Sequence, residues 1–418
     1  MHLKYRMQGF VMEGGERYSL LVDPDSGSPL FHPNLFVTTQ VRNRSLSVST
    51  MEAALIAVNV LLTFCSAHGI DLDARCRRRH LLKTSELDAL RDHCQLRFGK
   101  QESRRSTVVS FGTRGTKRTR RLVGLSSEYM RLTHIANYIG WLTNALLGSS
   151  IDEPTARRIE SVRRGLLVRR PMRKRRNELS EARGLSKKQL AALQKVTDVD
   201  GDASLFKDTD TRTRNRLILD VLLYLGVRGG ELLNIRIRDI DWSRHQLVIA
   251  RRPDEVSDPR ARQPLVKTLD RRIPLRETLV EELHAYVVKH RNKVPGARKH
   301  DYLFVTHKSG PTQGQPLSIS AYQKLIKAVA GSSPELEKFH GHLLRHTWND
   351  RFSEQMDQLE NPPSSEKQEA MRAYAQGWKA GSGTGATYNR RFTERKAHEA
   401  QLKLQQKTLR LPREPEDE

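Results

Sequence analysis

The stretch TRNRLILDVLLYLGVRGGELLNIRIRDIDW, residues 213–242, changes character along its length. Apolar residues recur at helical spacing up to Leu225, Gly226 interrupts them, and beyond Trp242 the period becomes two. HQLVIAR (245–251), RQPLVK (262–267) and RRIPL (271–275) then read as short strands separated by turn residues. Helical spacing returns at SISAYQKLIKAVAG (318–331), at HGHLLRHTWNDRFSEQM (340–356) and toward the C-terminus. Upstream, GLSKKQLAALQKV (184–196) offers Ser186 as a helix cap. The pattern predicts a mainly α fold with a small antiparallel β-sheet, an α+β domain over 185–400 followed by a helix end and acidic tail at 401–418.

Residues 45–165 read as a separate helical domain. TMEAALIAVNVLLTFCSAHGI (50–70), SELDALRDHCQLRF (85–98) and SSEYMRLTHIANYIGWLTNALLG (126–148) are amphipathic helices, and the last stops at Gly148. Before them, RYSLLVD (17–23) and NLFVTTQ (34–40) alternate around a PDSGSP turn, which predicts a hairpin-like arm over 1–44. Residues 166–184 read as a basic linker.

Lys and Arg number 73 against 48 Asp and Glu, a net charge of +25, so a polyanionic partner is expected. No stretch reads as a membrane span and the N-terminus lacks a signal-peptide apolar block, so the expectation is a soluble, cytoplasmic protein. Cys65, Cys76 and Cys94 match neither a metal knuckle nor a disulfide framework, and no metal site or cofactor is expected. Two basic runs stand out. GKQESRRSTVVSFGTRGTKRTRR (99–121) includes Arg114, Lys117, Arg118, Arg120 and Arg121, and the linker includes Arg173, Lys174, Arg175 and Arg176. Such runs are either solvated surface or phosphate-tracking segments that release counterions on binding DNA.

Arg228 and Glu231, three apart, face the same way if helical, either as a surface ion pair or as a guanidinium that Glu231 holds for a phosphate. The glycines around Arg228 let backbone approach a ligand closely. Lys267 sits before the turn into RRIPL, where a lysine is solvent-exposed unless the hairpin tip enters a DNA groove. His342, Arg345 and His346 fall at i, i+3 and i+4 on one helical face. GWKAGSGTGATYNRRF (377–392) then links Trp378 to Tyr388 through a glycine-rich loop.

This order, R-x-x-E, K-T-x-x-R-x-I-P-L, H-x-x-R-H-T, G-W and Tyr, resembles the tyrosine recombinase, or phage-integrase-type, family. The likeness covers roughly 185–400, whereas 45–165 is similar in pattern only to the family's helical core-binding domain. The resemblance implies that Arg228 and Arg345 clamp the scissile phosphate, His342 assists proton transfer, Lys267 protonates the leaving 5′ oxygen, and Tyr388 attacks phosphorus. Trp378 stands where many members carry a second histidine, with Glu231 and His346 in support. It implies double-stranded DNA as substrate, a tetramer on paired sites, accessory proteins and no metal or ATP. A monomeric type IB-like topoisomerase and a catalytically silent DNA-binding regulator are the alternatives. One departure is the 33-residue interval from Arg345 to Trp378, which contains ENPPSSEKQE (360–369).

Overall fold

A computed structural model describes residues 2–99, 122–172, 184–198, 205–379 and 396–406, and the chain divides into two compact units, Met1–Glu178 and Leu179–Glu418. In the first, β1 (Arg6–Val11) pairs antiparallel with β2 (Arg17–Val22), Arg6 opposite Val22 and Val11 opposite Arg17. Among the described residues, six α-helices follow: α1 (Phe31–Gln40), α2 (Val48–Ala67), α3 (Leu72–Arg77), α4 (Thr84–Gln95), α5 (Leu125–Leu147) and α6 (Glu153–Val168). Their starts are written locally. Ser47, Asp71 and Asp152 each accept a hydrogen bond from the backbone three residues on, and Gly148 ends α5 at φ 55°.

The expected hairpin exists, but its partner strand precedes RYSLLV, and NLFVTTQ is helix α1. Asn34 explains the difference. Its side-chain amide accepts from the Leu21 N–H at 2.8 Å and donates to the Leu21 carbonyl at 2.9 Å, so one side chain on a helix takes the place of a third strand. Tyr18, Leu21, Phe36 and Val37 share one core with Leu55, Val58 and Leu61 of α2 and Ile135 and Ile139 of α5, so the expected arm is part of this body. α6 runs through Val168 with Leu166 fully buried, into the stretch expected as linker.

By length and composition α2 is apolar enough to cross a membrane, contrary to the reading above, although most of it is buried in this core. The three cysteines are buried free thiols. Burial pushes Cys65 and Cys94 up to about 12, where they are protonated and inert.

The second unit opens with α7 (Lys187–Thr197), capped by Ser186 and Gln189 reciprocally, and α8 (Thr209–Leu225). Then come a single turn, α9 (Gly229–Leu232), and strands β3 (Ile240–Asp241), β4 (Gln246–Ile249) and β5 (Arg271–Pro274), antiparallel in that order. α10 (Glu277–Ala285) continues into a π-helical turn at Tyr286–His290, and α11 (Ile319–Ala330), α12 (Gly341–Asp357) and α13 (Ser365–Gln376) follow. Residues 396–406 are helical and exposed along their whole length. The core gathers Leu217, Ile218, Val221 and Leu222 of α8, Leu247 and Ile273 of the sheet, Leu279 and Leu283 of α10, and Leu344 of α12.

RQPLVK is not a strand. The Asn234 amide donates to the Pro264 carbonyl, and the Leu265 carbonyl lies so close to Gly230 that a methyl there would meet it at 2.6 Å. The segment therefore gives its Pro264 carbonyl to Asn234 and packs against Gly230 of α9 instead of joining a sheet. The long interval before Trp378 is also ordered: ENPPSSEKQE spans the turn after α12 and the start of α13, which Ser364 caps.

One buried cation ties these parts together. Arg271, at the head of β5, donates to Glu231 at 2.8 Å, Thr268 at 3.1 Å and the Ala375 carbonyl at 2.8 Å, joining α9, the β5 approach and the end of α13. Arg271→Met strands a carboxylate whose side chain is 0% exposed, a change that typically costs about 3–5 kcal/mol. Urea unfolding is expected to show that loss. Adding Glu231→Gln to Arg271→Met should recover part of it, because the buried charge is then gone.

Candidate active site

α8 ends where Gly226 turns left-handed, φ 62°. Its carbonyl accepts a hydrogen bond from Arg345 Nη1 at 2.7 Å, and a methyl on Gly226 would meet Trp348 Cγ at 2.7 Å and Gln376 Nε2 at 2.9 Å. Both conformation and space require glycine here. Arg345 itself is 0% exposed. Its Nη2 donates to the Gln376 carbonyl at 3.1 Å, and its guanidinium carbon lies 5.6 Å from the centre of the Trp378 ring. Two carbonyls and an indole thus orient one guanidinium on α12. The chain passes from α13 to Trp378 through Gly377, φ 64°, where a methyl would strike Arg271 Nη1 at 2.8 Å and the Leu269 carbonyl at 2.9 Å. Trp378 is buried at 7% exposure, so its ring supports Arg345 from below.

Arg228 and Glu231 do not share a helical face. Arg228 caps α9 in extended conformation, φ −77° and ψ 152°, and Glu231 accepts its backbone N–H at 3.1 Å. The contact between Arg228 Nη1 and Glu231 is 3.4 Å, longer than the charged contacts Glu231 makes with Arg271 and the Thr268 hydroxyl at 2.8 and 2.7 Å. Burial acts to raise the Glu231 carboxyl, but the charge and hydrogen bond of Arg271, the Thr268 hydroxyl and the charge of Arg345 prevail and hold it below its ordinary range. Glu231 is therefore an ionised anchor whose principal partner is Arg271. Arg228 keeps 28% of its side chain exposed.

Lys267 is exposed between buried Val266 and Thr268, on irregular backbone and not at the tip of a tight hairpin. The segment is fixed at Thr268 by Glu231 and at Leu269, whose N–H donates to the Gly377 carbonyl at 2.9 Å. A flexible ammonium thus rises from a backbone stitched to the residue before Trp378. In the first turns of α12, His342 is exposed while Arg345 is buried and His346 half-buried, so the shared face is graded in depth. The two imidazoles meet edge to face at 4.7 Å. Partial desolvation by the protein behind the ring, then the charges of Arg345, Arg228 and His340, push His342 down to about 4, leaving it neutral at neutral pH.

The described residues thus bring together Arg228, Glu231, His342, Arg345 and Trp378, with Lys267 on an adjoining segment and His346 beside His342. Tyr388 lies outside the described residues, as do Arg114, Lys117, Arg118, Arg120, Arg121, Arg173, Lys174, Arg175 and Arg176. Among the described residues no group of three or more His, Cys, Asp or Glu is placed to hold a metal ion. Thr268, Arg271 and Gln376 were given no role by the sequence reading. A signal for Arg271 was present: β5 alternates buried and exposed, and Arg271 is in phase with Ile273, on the inward side.

Residues 184–359 match the phage integrase family. Among curated proteins, tyrosine recombinase XerD of Halalkalibacterium halodurans is 25% identical over 135 residues, which are 32% of this chain and 39% of that protein. A putative integrase/recombinase, y4rF, of Sinorhizobium fredii is 30% identical over 141 residues, 33% of this chain and 29% of that one. The matches therefore span well under half the length of these relatives. Among solved structures, the crystal structure of XerA recombinase aligns over 85% of this chain and 92% of its own at 18% identity and a TM-score of 0.35, too distant to carry inference about the site. Residues 184–359 thus match the phage integrase family, and over that part the chain is similar in sequence to tyrosine recombinases.

Proposed function

We propose that this protein is a site-specific recombinase that cleaves and rejoins double-stranded DNA through Tyr388, acting on a mobile element by integration, excision or transposition. The observation that carries this reading is the meeting of Arg228, His342 and Arg345, from the cap of α9 and from α12, around one imidazole whose proton affinity both guanidiniums lower. Two convergent guanidiniums and a neutral histidine suit a phosphodiester anion, which a lone surface ion pair would not need.

In the proposed reaction the Tyr388 phenolate oxygen bonds to phosphorus as the P–O5′ bond breaks. Lys267 gives its proton to the departing 5′ oxygen, and His342 assists transfer of the tyrosine proton. Arg345, immobilised on carbonyls, and Arg228, more exposed, take the charge that grows on the non-bridging oxygens. Attack of a 5′ hydroxyl on the 3′-phosphotyrosyl bond reverses these steps with a new strand. One phosphoester replaces another throughout, so ATP is not consumed.

The basic segments holding Arg114 to Arg121 and Arg173 to Arg176 are proposed to track phosphates. Assembly as a tetramer on paired sites, with accessory proteins in the bacterial cytoplasm, belongs to the same proposal. The exposed 396–406 helix, carrying Leu402 at 47% and Leu404 at 64% exposure, supports docking on a neighbouring protomer.

The test is a nicked suicide duplex built from the element's ends. A covalent adduct on a denaturing gel is expected with the native protein and none with Tyr388→Phe, while Arg345→Lys, which cannot form the same fork, should slow adduct formation by about 10²-fold or more. Relaxation of any supercoiled plasmid without strand exchange would instead indicate a topoisomerase, and tight binding with no adduct a regulator.

A second expectation concerns pH. The free protein holds His342 down at about 4, and a bound phosphate anion raises that value, so the complex takes up a proton and affinity rises as pH falls through the raised value of the complex. Comparing DNA affinity of the native protein with His342→Gln between pH 7 and 5 should show a difference in slope of at most about tenfold per pH unit. Identical slopes would remove His342 from the phosphate.

A further inference from the structure

A residue outside the charged set stands between two of its members. Tyr322 is on the inner side of α11, one turn before the buried Leu325 and Ile326, and its own ring is half-buried. That ring covers two glycines from separate segments. A methyl on Gly229 would lie 2.8 Å from Tyr322 Cε1, and one on Gly341 would lie 2.0 Å from the Tyr322 hydroxyl and 3.2 Å from Cζ. Gly229 follows Arg228, and Gly341 precedes His342.

Neither glycine has a positive φ, so the backbone conformation there is open to any residue. What excludes a side chain at both positions is the tyrosine ring. A flat, rigid group in van der Waals contact with both backbones fixes the separation of the two segments, as close packing in an interior does. Burial raises the phenol to about 12, so the spacer carries no charge of its own near the guanidinium and the imidazole.

We propose that Tyr322 is a positioning residue that sets the spacing of Arg228 and His342 across the scissile phosphate. This rests on reading the site as a strand-transfer centre, and the test separates the two. Gly341→Ala, Tyr322→Phe and the double variant are compared with the native protein in the suicide-duplex reaction, in DNA affinity, and in an NMR titration of the His342 ring, which also senses Arg345, Arg228, His340 and His346.

Gly341→Ala should slow single-turnover adduct formation by about 10²-fold, the usual consequence of a misplacement of order 1 Å, at nearly unchanged DNA affinity. Its His342 titration should move away from about 4. Without the hydroxyl the nearest ring atom is Cζ at 3.2 Å, so the double variant should return to within about twofold of Tyr322→Phe in rate and titration. Should Gly341→Ala not fold, Tyr322→Leu, which keeps an apolar group against Ile326 without the flat spacer, carries the same expectation of slower chemistry at retained affinity. Native rates and an unmoved His342 titration in Gly341→Ala, or in Tyr322→Leu, would overturn the proposal, as would a double variant no better than Gly341→Ala. If the native protein forms no adduct, the strand-transfer reading falls, and the histidine titrations still decide whether Tyr322 sets the spacing.

Discussion

The buried pair of Glu231 and Arg271 is the interaction on which the candidate site depends. Two ions with side chains 0% and 1% exposed survive in an interior only when their remaining hydrogen-bonding capacity is used, and here it is. Glu231 accepts from Arg271, Thr268 and the Arg228 backbone, and Arg271 also donates to Thr268 and the Ala375 carbonyl. The pair thereby joins the turn that presents Arg228, the segment that presents Lys267, and the helix end that leads to Trp378. The contacts fall in α9, at the head of β5 and near the end of α13, elements that no shared ladder joins to one another. The ion pair does what a sheet ladder would otherwise do, and its directionality sets register where apolar packing alone would permit sliding.

The two guanidiniums of the site are held differently, and the difference follows from burial. Arg345 is enclosed by the Gly226 and Gln376 carbonyls and the Trp378 ring, so its position is set by the protein alone. Arg228 keeps exposed surface and a long contact to Glu231. Under the proposed strand-transfer reading, a rigid cation and a more adaptable one suit a phosphate whose charge shifts during reaction, since preorganised charge is most effective where solvent is excluded. Glycines make the arrangement possible: Gly226 and Gly377 supply left-handed turns directly beside the arginine they serve.

Much of this was legible along the chain, and the rest was not for identifiable reasons. Helix limits marked by Ser186 and by Gly226 and Gly148 were readable because capping is local chemistry between neighbours. α1 was not, since NLFVTTQ has strand composition and becomes helical only where Asn34 finds the backbone of Leu21, a partner from another element. RQPLVK alternates like a strand, yet its Pro264 carbonyl accepts from Asn234 and its Leu265 carbonyl packs closely against Gly230. Arg271 was visible as a letter of a motif, but in a chain with 73 Lys and Arg a buried arginine looks like any other.

The sequence by itself determined the order of the site's residues, the helical and two-residue periods around them and the excess of positive charge, because each is a property of composition or of near neighbours. Tertiary structure decided which partner each residue serves. It turned Glu231 from Arg228 toward Arg271, set the Trp378 ring beneath Arg345, lowered Arg345 below His342 on a shared face, and placed the Tyr322 ring over two distant glycines. Such choices depend on which groups are desolvated together, and desolvation is fixed only when segments far apart in the chain close on one another.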